Sequence, residues 1–171
     1  MRYVALLRAV NVGGTGKLLM KDLVAVCERV KFGNVRTYVQ SGNVLFDSEL
    51  GEGDVRDALE KALESKMGKK VAVMVRTEKE LRGIVEANPF AEYPPAKVAV
   101  AFLQTRVNKD TVTSLRGADG EQVQPGKREL YIYFPNGMGQ SKLRFPASMG
   151  EATSRNINTV RKLVEMLEDD V

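Results

Sequence analysis

The first 76 residues pass from strand-like to helix-like apolar spacing and back in a fixed order, and few folds accommodate that order. Tyr3 to Val10 is almost wholly apolar, as a central strand covered on both faces would be. From Leu19 the spacing changes: Leu19, Met20, Leu23, Val26, Cys27 and Val30 fall along one helical face, and Phe32-Gly33-Asn34 ends that helix. Val35 to Gln40 and Val44 to Phe46 read as two strands joined through Ser41-Gly42. Asp54 starts a second helix striped by Val55, Ala58, Leu59, Ala62 and Leu63, and Val71 to Val75 is a short buried strand. Strand, helix, strand, strand, helix, strand is the split βαβ, or ferredoxin-like (βαββαβ), arrangement, whose right-handed crossovers put both helices on one sheet face.

A second unit follows. Thr77 with Glu80 forms a capping box ahead of Leu81, Ile84 and Val85, and Pro89, Pro94 and Pro95 mark a boundary. Phe90 and Tyr93 make that linker a packed one. Val98 to Leu103 is again continuously apolar. Asn108 caps a helix carrying Val112 and Leu115, and strands follow at Glu121 to Gln124 and Leu130 to Phe134, with Pro125-Gly126 between them. Ile157, Val160, Leu163, Val164 and Leu167 stripe a last helix. The expected class is α+β, with two small α/β domains. Residues 1–76 are ferredoxin-like, 77–97 are a helix and packed linker, and 98–171 are a similar or incomplete copy with C-terminal helices.

Composition closes several routes to function. Among 171 residues there is no histidine and one cysteine, Cys27. An intrachain disulfide is impossible, zinc chemistry is disfavoured, and no imidazole can shuttle protons at neutral pH. No metal and no cofactor is expected. No apolar run reaches the roughly 18–20 residues of a membrane span, and Arg8 interrupts the N-terminal run before it could serve as a signal peptide. A cytoplasmic protein, monomeric or weakly homodimeric, is expected. The formal charge of +4 aids solubility and can steer anions, but does not by itself specify nucleic acid.

Candidate site residues lie in loops. Asn11-Val12-Gly13-Gly14-Thr15-Gly16-Lys17 joins a strand to a helix and offers glycine amides near a helix N-terminus, a geometry that can hold an anion. It is not a P-loop, which requires glycine where Asn11 stands and Ser or Thr where Leu18 stands. Gln40-Ser41-Gly42-Asn43 gives short polar groups at a hairpin, expected to lie at the sheet end opposite the first loop. Asn136 to Lys142, containing Ser141 and Lys142, repeats the glycine-and-lysine composition, and Arg155, Asn156 and Asn158 open the last helix. Turn chemistry and helix capping account for each of these residues singly.

Several strings together resemble a bacterial family, DUF1697, of unknown function. They are Tyr3-Val4-Ala5-Leu6-Leu7-Arg8-Ala9-Val10-Asn11-Val12-Gly13-Gly14, with Lys17 and Met20, and Thr37-Tyr38-Val39-Gln40-Ser41-Gly42-Asn43-Val44. Asn88-Pro89-Phe90, Pro135-Asn136-Gly137-Met138-Gly139, Ser141-Lys142 and Thr153-Ser154-Arg155-Asn156-Ile157-Asn158-Thr159-Val160 continue the likeness. Ala9 stands where the family has glycine, and Ile157 where it has tryptophan. The resemblance implies two small α/β domains and no activity, and its polar, glycine-rich positions point to a binding site in an inter-domain groove.

Two ligand-directed function classes follow, and one that needs no small ligand. One is binding of a phosphate-bearing small molecule or short nucleic acid through Arg8, Asn11, Gly13, Gly14, Lys17, Gln40, Ser41, Asn43, Ser141, Lys142, Arg155, Asn156 and Asn158. The other is metal-independent phosphoryl or acyl transfer or hydrolysis, for which no general base can be named. A third reading, a protein–protein interaction module, rests on Val71 to Val75 as an edge strand in need of cover.

Overall fold

Strand β1 (Arg2–Leu7) is an inner strand, as its unbroken apolar run requires. The computed structural model describes residues 1–8, 18–38, 42–108, 110, 112, 120–138, 141, 143–145 and 150–169. After β1 come α1 (Met20–Arg29), β2 (Gly33–Thr37), β3 (Asn43–Asp47), α2 (Glu52–Met67) and β4 (Val73–Thr77). They form a four-stranded antiparallel sheet in the order β2-β3-β1-β4. Helix α3 (Glu78–Glu86) and a 3-10 turn (Pro95–Lys97) precede a second four-stranded antiparallel sheet. Its strands are β5 (Val98–Leu103), β6 (Gln122–Pro125), β7 (Glu129–Tyr133) and β8 (Ala152–Asn156), in the order β6-β7-β5-β8. Helix α4 (Ile157–Asp169) ends the chain. Two compact units result: Met1–Leu81 with Leu163–Val171, and Arg82–Lys162.

Alternation along β1 explains how the first unit closes. Tyr3, Ala5 and Leu7 pack with Val44, Phe46, Val73 and Val75 against Leu23, Val26 and Cys27 of α1 and Val55, Leu59 and Leu63 of α2. The other face carries Val4, Leu6, Leu45 and Met74, all with zero exposure, so neither face tolerates a polar period. Burying one such side chain contributes about 1.5–3 kcal/mol. In the second sheet Ala99, Ala101 and Leu103 pack with Leu130, Ile132 and Phe134, while Val98, Val100 and Phe102 are buried on the opposite face. The linker aromatics are packed: Phe90 and Tyr93 meet Tyr133 with ring centroids 6.3 and 4.1 Å away.

Helix ends follow local chemistry, with one departure. The capping box is formed: Thr77 Oγ1 accepts the Glu80 N–H at 3.2 Å, and Glu80 Oε1 accepts the Thr77 N–H at 3.0 Å. α1 stops earlier than Gly33. Lys31 takes the left-handed conformation (φ 68°), its N–H donates to the Glu28 carbonyl, and the Phe32 N–H donates to that of Cys27. This is a Schellman termination with lysine where glycine is usual. Gly33 then begins β2. Asn108 Oδ1 accepts the Asp110 N–H at 3.0 Å, as a helix start there requires; most of the helix expected after it lies outside the described residues. Among the described residues, no helix is long and apolar enough to cross a membrane.

Candidate basic sheet end

Chain direction decides which loops meet. β1 and β2 both run antiparallel to β3 and so parallel to each other, which brings their C-terminal ends to one side. The Leu7 N–H donates to the Gly42 carbonyl at 2.8 Å, and Leu6 lies opposite Asn43. The expectation that the first loop and the β2–β3 hairpin lie at opposite ends is therefore corrected: both open from the same end. A crossover returns the chain before β2 starts, so strands one and two must finish together.

Four elements contribute to this end. Arg8 is exposed, and its N–H donates to the Ala72 carbonyl at 2.9 Å. That bond brings in the segment before β4, where Lys69 and Lys70 are exposed. These lysines follow the C-terminus of α2, where cations suit the helix dipole. α1 ends three residues before β2 begins, at the far end of the sheet, so its first turn lies on the Arg8 side. Its N-cap, Leu19, makes no side-chain capping bond. Asn43 is fully buried: its Nδ2 donates to the Tyr38 carbonyl at 3.0 Å while the Tyr38 N–H donates to the Asn43 carbonyl at 3.1 Å. Asn43 holds the hairpin shut. Asn11, Gly13, Gly14, Lys17, Gln40, Ser41 and Lys142 lie outside the described residues.

The remaining candidates sit elsewhere. Arg155 and Asn156 end β8, and Asn158 lies in the first turn of α4. Asn156 Oδ1 accepts the Asn158 N–H at 2.8 Å, and its Nδ2 donates to the carbonyls of Pro95 and Ala96 at 3.1 and 3.2 Å. It ties the 3-10 turn to the helix start. Arg155 is only 7% exposed; its Nη1 donates to Thr153 Oγ1 at 2.6 Å and to the Ser154 carbonyl at 3.0 Å. Burial pushes its guanidinium down to about 10. Ser141 Oγ donates to Glu121 Oε1 at 2.7 Å and accepts the Leu143 N–H at 3.1 Å, a local anchor.

Two features escaped the sequence reading. Lys69 and Lys70 carry no motif in the sequence, and the bond from Arg8 to Ala72 gives their segment a place beside the first strand. Val71 to Val75 was expected to be an edge strand in need of cover, and side chains near β4 take up several of its outward backbone groups. Val73, Val75 and Thr77 direct their backbone groups away from β1. Glu60 Oε2 accepts the Val73 N–H at 2.9 Å, Arg76 Nη1 donates to the Val75 carbonyl at 2.9 Å, and Glu80 takes the Thr77 N–H. Cys27 is fully buried, and its thiol is pushed up to about 12 by burial and then by the Glu28 charge. Among the described residues, no group of three or more Cys, Asp or Glu is placed to hold a metal ion.

The fold has a solved counterpart. The conserved bacterial protein SP0830 from Streptococcus pneumoniae superposes with a TM-score of 0.75 at 22% identity, over 97% of this chain and 98% of that one. No curated protein matches. The family described as "Protein of unknown function (DUF1697)" matches residues 1–131, and the similar strings from Pro135 onward lie beyond that match. With three quarters of its length matched, the chain belongs to the DUF1697 family.

Proposed function

We propose that the protein binds a phosphate-bearing ligand, a small molecule or a short nucleic acid, at the end of the first sheet where β1 stops. The carrying observation is the meeting there of exposed Arg8, Lys69 and Lys70 with the N-terminal side of α1. Three exposed cations at one sheet end favour a dianion over a neutral ligand through charge-assisted contacts. In sequence, the Gly-rich segment Asn11 to Lys17 follows shortly after Arg8. We read the first unit as ferredoxin-like, a reading supported by the order β2-β3-β1-β4 with two crossover helices. That class of fold carries no activity of its own.

Fluorescence polarisation with labelled 12-nucleotide single-stranded DNA and RNA, at 50 and 200 mM salt, tests the reading; unlabelled nucleoside triphosphate serves as competitor. Three phosphate contacts predict roughly a tenfold to twentyfold loss of affinity between those salts. Competition by the triphosphate at equal phosphate concentration assigns the site to a small molecule. Binding indifferent to salt, or unchanged in Lys69→Ala/Lys70→Ala, would remove the proposal.

A further inference from the structure

Three strands of the second sheet, β7-β5-β8, repeat the register of β3-β1-β4 in the first. Tyr3 to Leu7 pair with Thr77 to Val73 as Ala99 to Leu103 pair with Asn156 to Ala152, and Arg2 to Leu6 pair with Asp47 to Asn43 as Val98 to Phe102 pair with Tyr133 to Glu129. The closing bonds correspond as well. The Leu7 N–H donates to the Gly42 carbonyl at 2.8 Å, and the Leu103 N–H donates to the Arg128 carbonyl at 2.9 Å. The end of the second sheet beside Leu103 is thus the counterpart of the Arg8 end.

Cations gather there too, from different positions. The Val107 N–H donates to the Lys127 carbonyl at 2.9 Å, which lays the segment 104–107 along the β6–β7 hairpin. Arg106 and Lys127 are exposed, and Arg128 is half-buried beside them. Among the described residues, neither Arg106 nor Lys127 pairs with a carboxylate. The nearby acids are Glu151 and Asp110, both exposed, and Glu129, which is buried at the start of β7 beside Arg128. Glu151 adjoins Ala152 on the β8 side of β5, and Glu129 is buried on the β7 side, so Arg106 and Lys127 are the exposed charges of the β7 side. An exposed guanidinium and ammonium on adjoining segments, without counter-ions, suit a phosphate mono- or diester better than a carboxylate. The fork of arginine can take two oxygens while the lysine takes a third.

We propose that Arg106, Lys127 and Arg128 form a second phosphate-binding site, so that each unit carries its own. This rests on the phosphate reading of the first unit and adds a separate set of residues. A metal-free titration of the full chain with inorganic pyrophosphate, followed through backbone amide chemical shifts, tests it. Saturable shifts are expected at Arg106, Val107 and Lys127 as well as at Arg8, Lys70 and Ala72. In Arg106→Ala/Lys127→Ala, only the first-unit set should persist. In Lys61→Ala/Lys79→Ala, which removes two exposed helix cations elsewhere, both sets should remain. Shifts confined to the first unit overturn the second site and leave the first standing. Equal loss in the Lys61/Lys79 control also overturns it, because net charge alone would then explain binding. No saturable shift anywhere overturns both.

Discussion

Arg76 and Arg155 occupy the same place in two different sheets. Each is the fourth residue of its sheet's last strand, each lies opposite a first-strand valine (Val4 and Val100), and each donates Nη1 to the carbonyl of the residue before it, at 2.9 and 3.0 Å. Both are almost fully buried, at 1% and 7% exposure. A buried guanidinium needs its donors matched, and folding back onto the strand supplies part of that match. Arg155→Met keeps much of the volume but strips the donor from Thr153 Oγ1 and the Ser154 carbonyl, so it should cost about 1–3 kcal/mol of stability. Arg155→Lys should rescue only part, since an ammonium lacks the planar fork. Urea unfolding of both variants measures this.

The β4 edge gives a second expectation. Glu60→Ala leaves the outward Val73 N–H without its carboxylate and should destabilise by about 1–2 kcal/mol. Glu60→Gln keeps an acceptor and should lose less. A bared apolar edge also invites strand addition. Sedimentation velocity at rising concentration should therefore show more association for Glu60→Ala/Glu80→Ala than for the parent chain, and an unchanged profile would deny these side chains a guarding role.

Lys31 supplies a third. A left-handed backbone costs an ordinary residue roughly 1 kcal/mol and glycine almost nothing. Lys31 is exposed and serves only to end α1. Lys31→Gly should raise stability by about 0.5–1 kcal/mol, read as a higher urea midpoint with an unchanged slope.

These sites show where the sequence could be read and where it could not. Tyr3 to Leu7 and Val98 to Leu103 announce central strands because a strand covered on both faces loses its polar alternation. Thr77 and Glu80 announce a cap because the bond is local. Arg155 was expected as a ligand-binding residue at a helix start and Arg76 carries no motif, since nothing local signals that a guanidinium is buried against its own strand. Gly33 was the natural terminator of α1, yet Lys31 takes the left-handed conformation, one residue before the Phe32 ring that stacks on Phe46 at 4.2 Å. The convergence of Arg8 with Ala72 and Gly42 depends on the relative direction of three strands, which no single segment encodes. At the candidate site the cations were legible as residues, and their neighbourhood was not.

The last turn of α4 gives a fourth expectation. Arg2 Nη1 donates to the Leu167 carbonyl and Arg36 Nη1 to the Met166 carbonyl, both at 2.8 Å. Helix C-termini leave carbonyls unsatisfied and carry partial negative charge, so two guanidiniums from β1 and β2 satisfy both needs. Arg2→Ala and Arg36→Ala should each cost about 1–2 kcal/mol. Amide exchange should quicken in the last turn of α4 before the β1 amides respond. Uniform acceleration through the sheet would show instead that this turn opens only with global unfolding.

Alkaline pH gives the fifth, and its sign follows from burial. The Cys27 thiol is raised from 9.0 to about 12 and the Tyr131 hydroxyl from 10.0 to about 12, each first by burial and then by a glutamate, Glu28 and Glu129 respectively. Both groups are neutral below these values, so the folded state keeps a proton that the unfolded state gives up first. Their contribution is complete below about pH 9 and is lost as pH rises from there towards 12. Arg155 runs the other way: its guanidinium is lowered from 12.5 to about 10, so the cost of burying its charge is constant at neutral pH and eases only above about pH 10. With no histidine in the chain, the unfolding free energy should be nearly level from pH 6 to 8.5 and should fall beyond pH 9. Cys27→Ala should flatten the first part of that fall, at the expense of a small cavity under α1. The same burial should keep the native thiol unreactive towards Ellman's reagent at pH 8, with labelling at the rate of unfolding. Rapid labelling of the folded chain would show that Cys27 opens locally and would break the argument for its raised pKa.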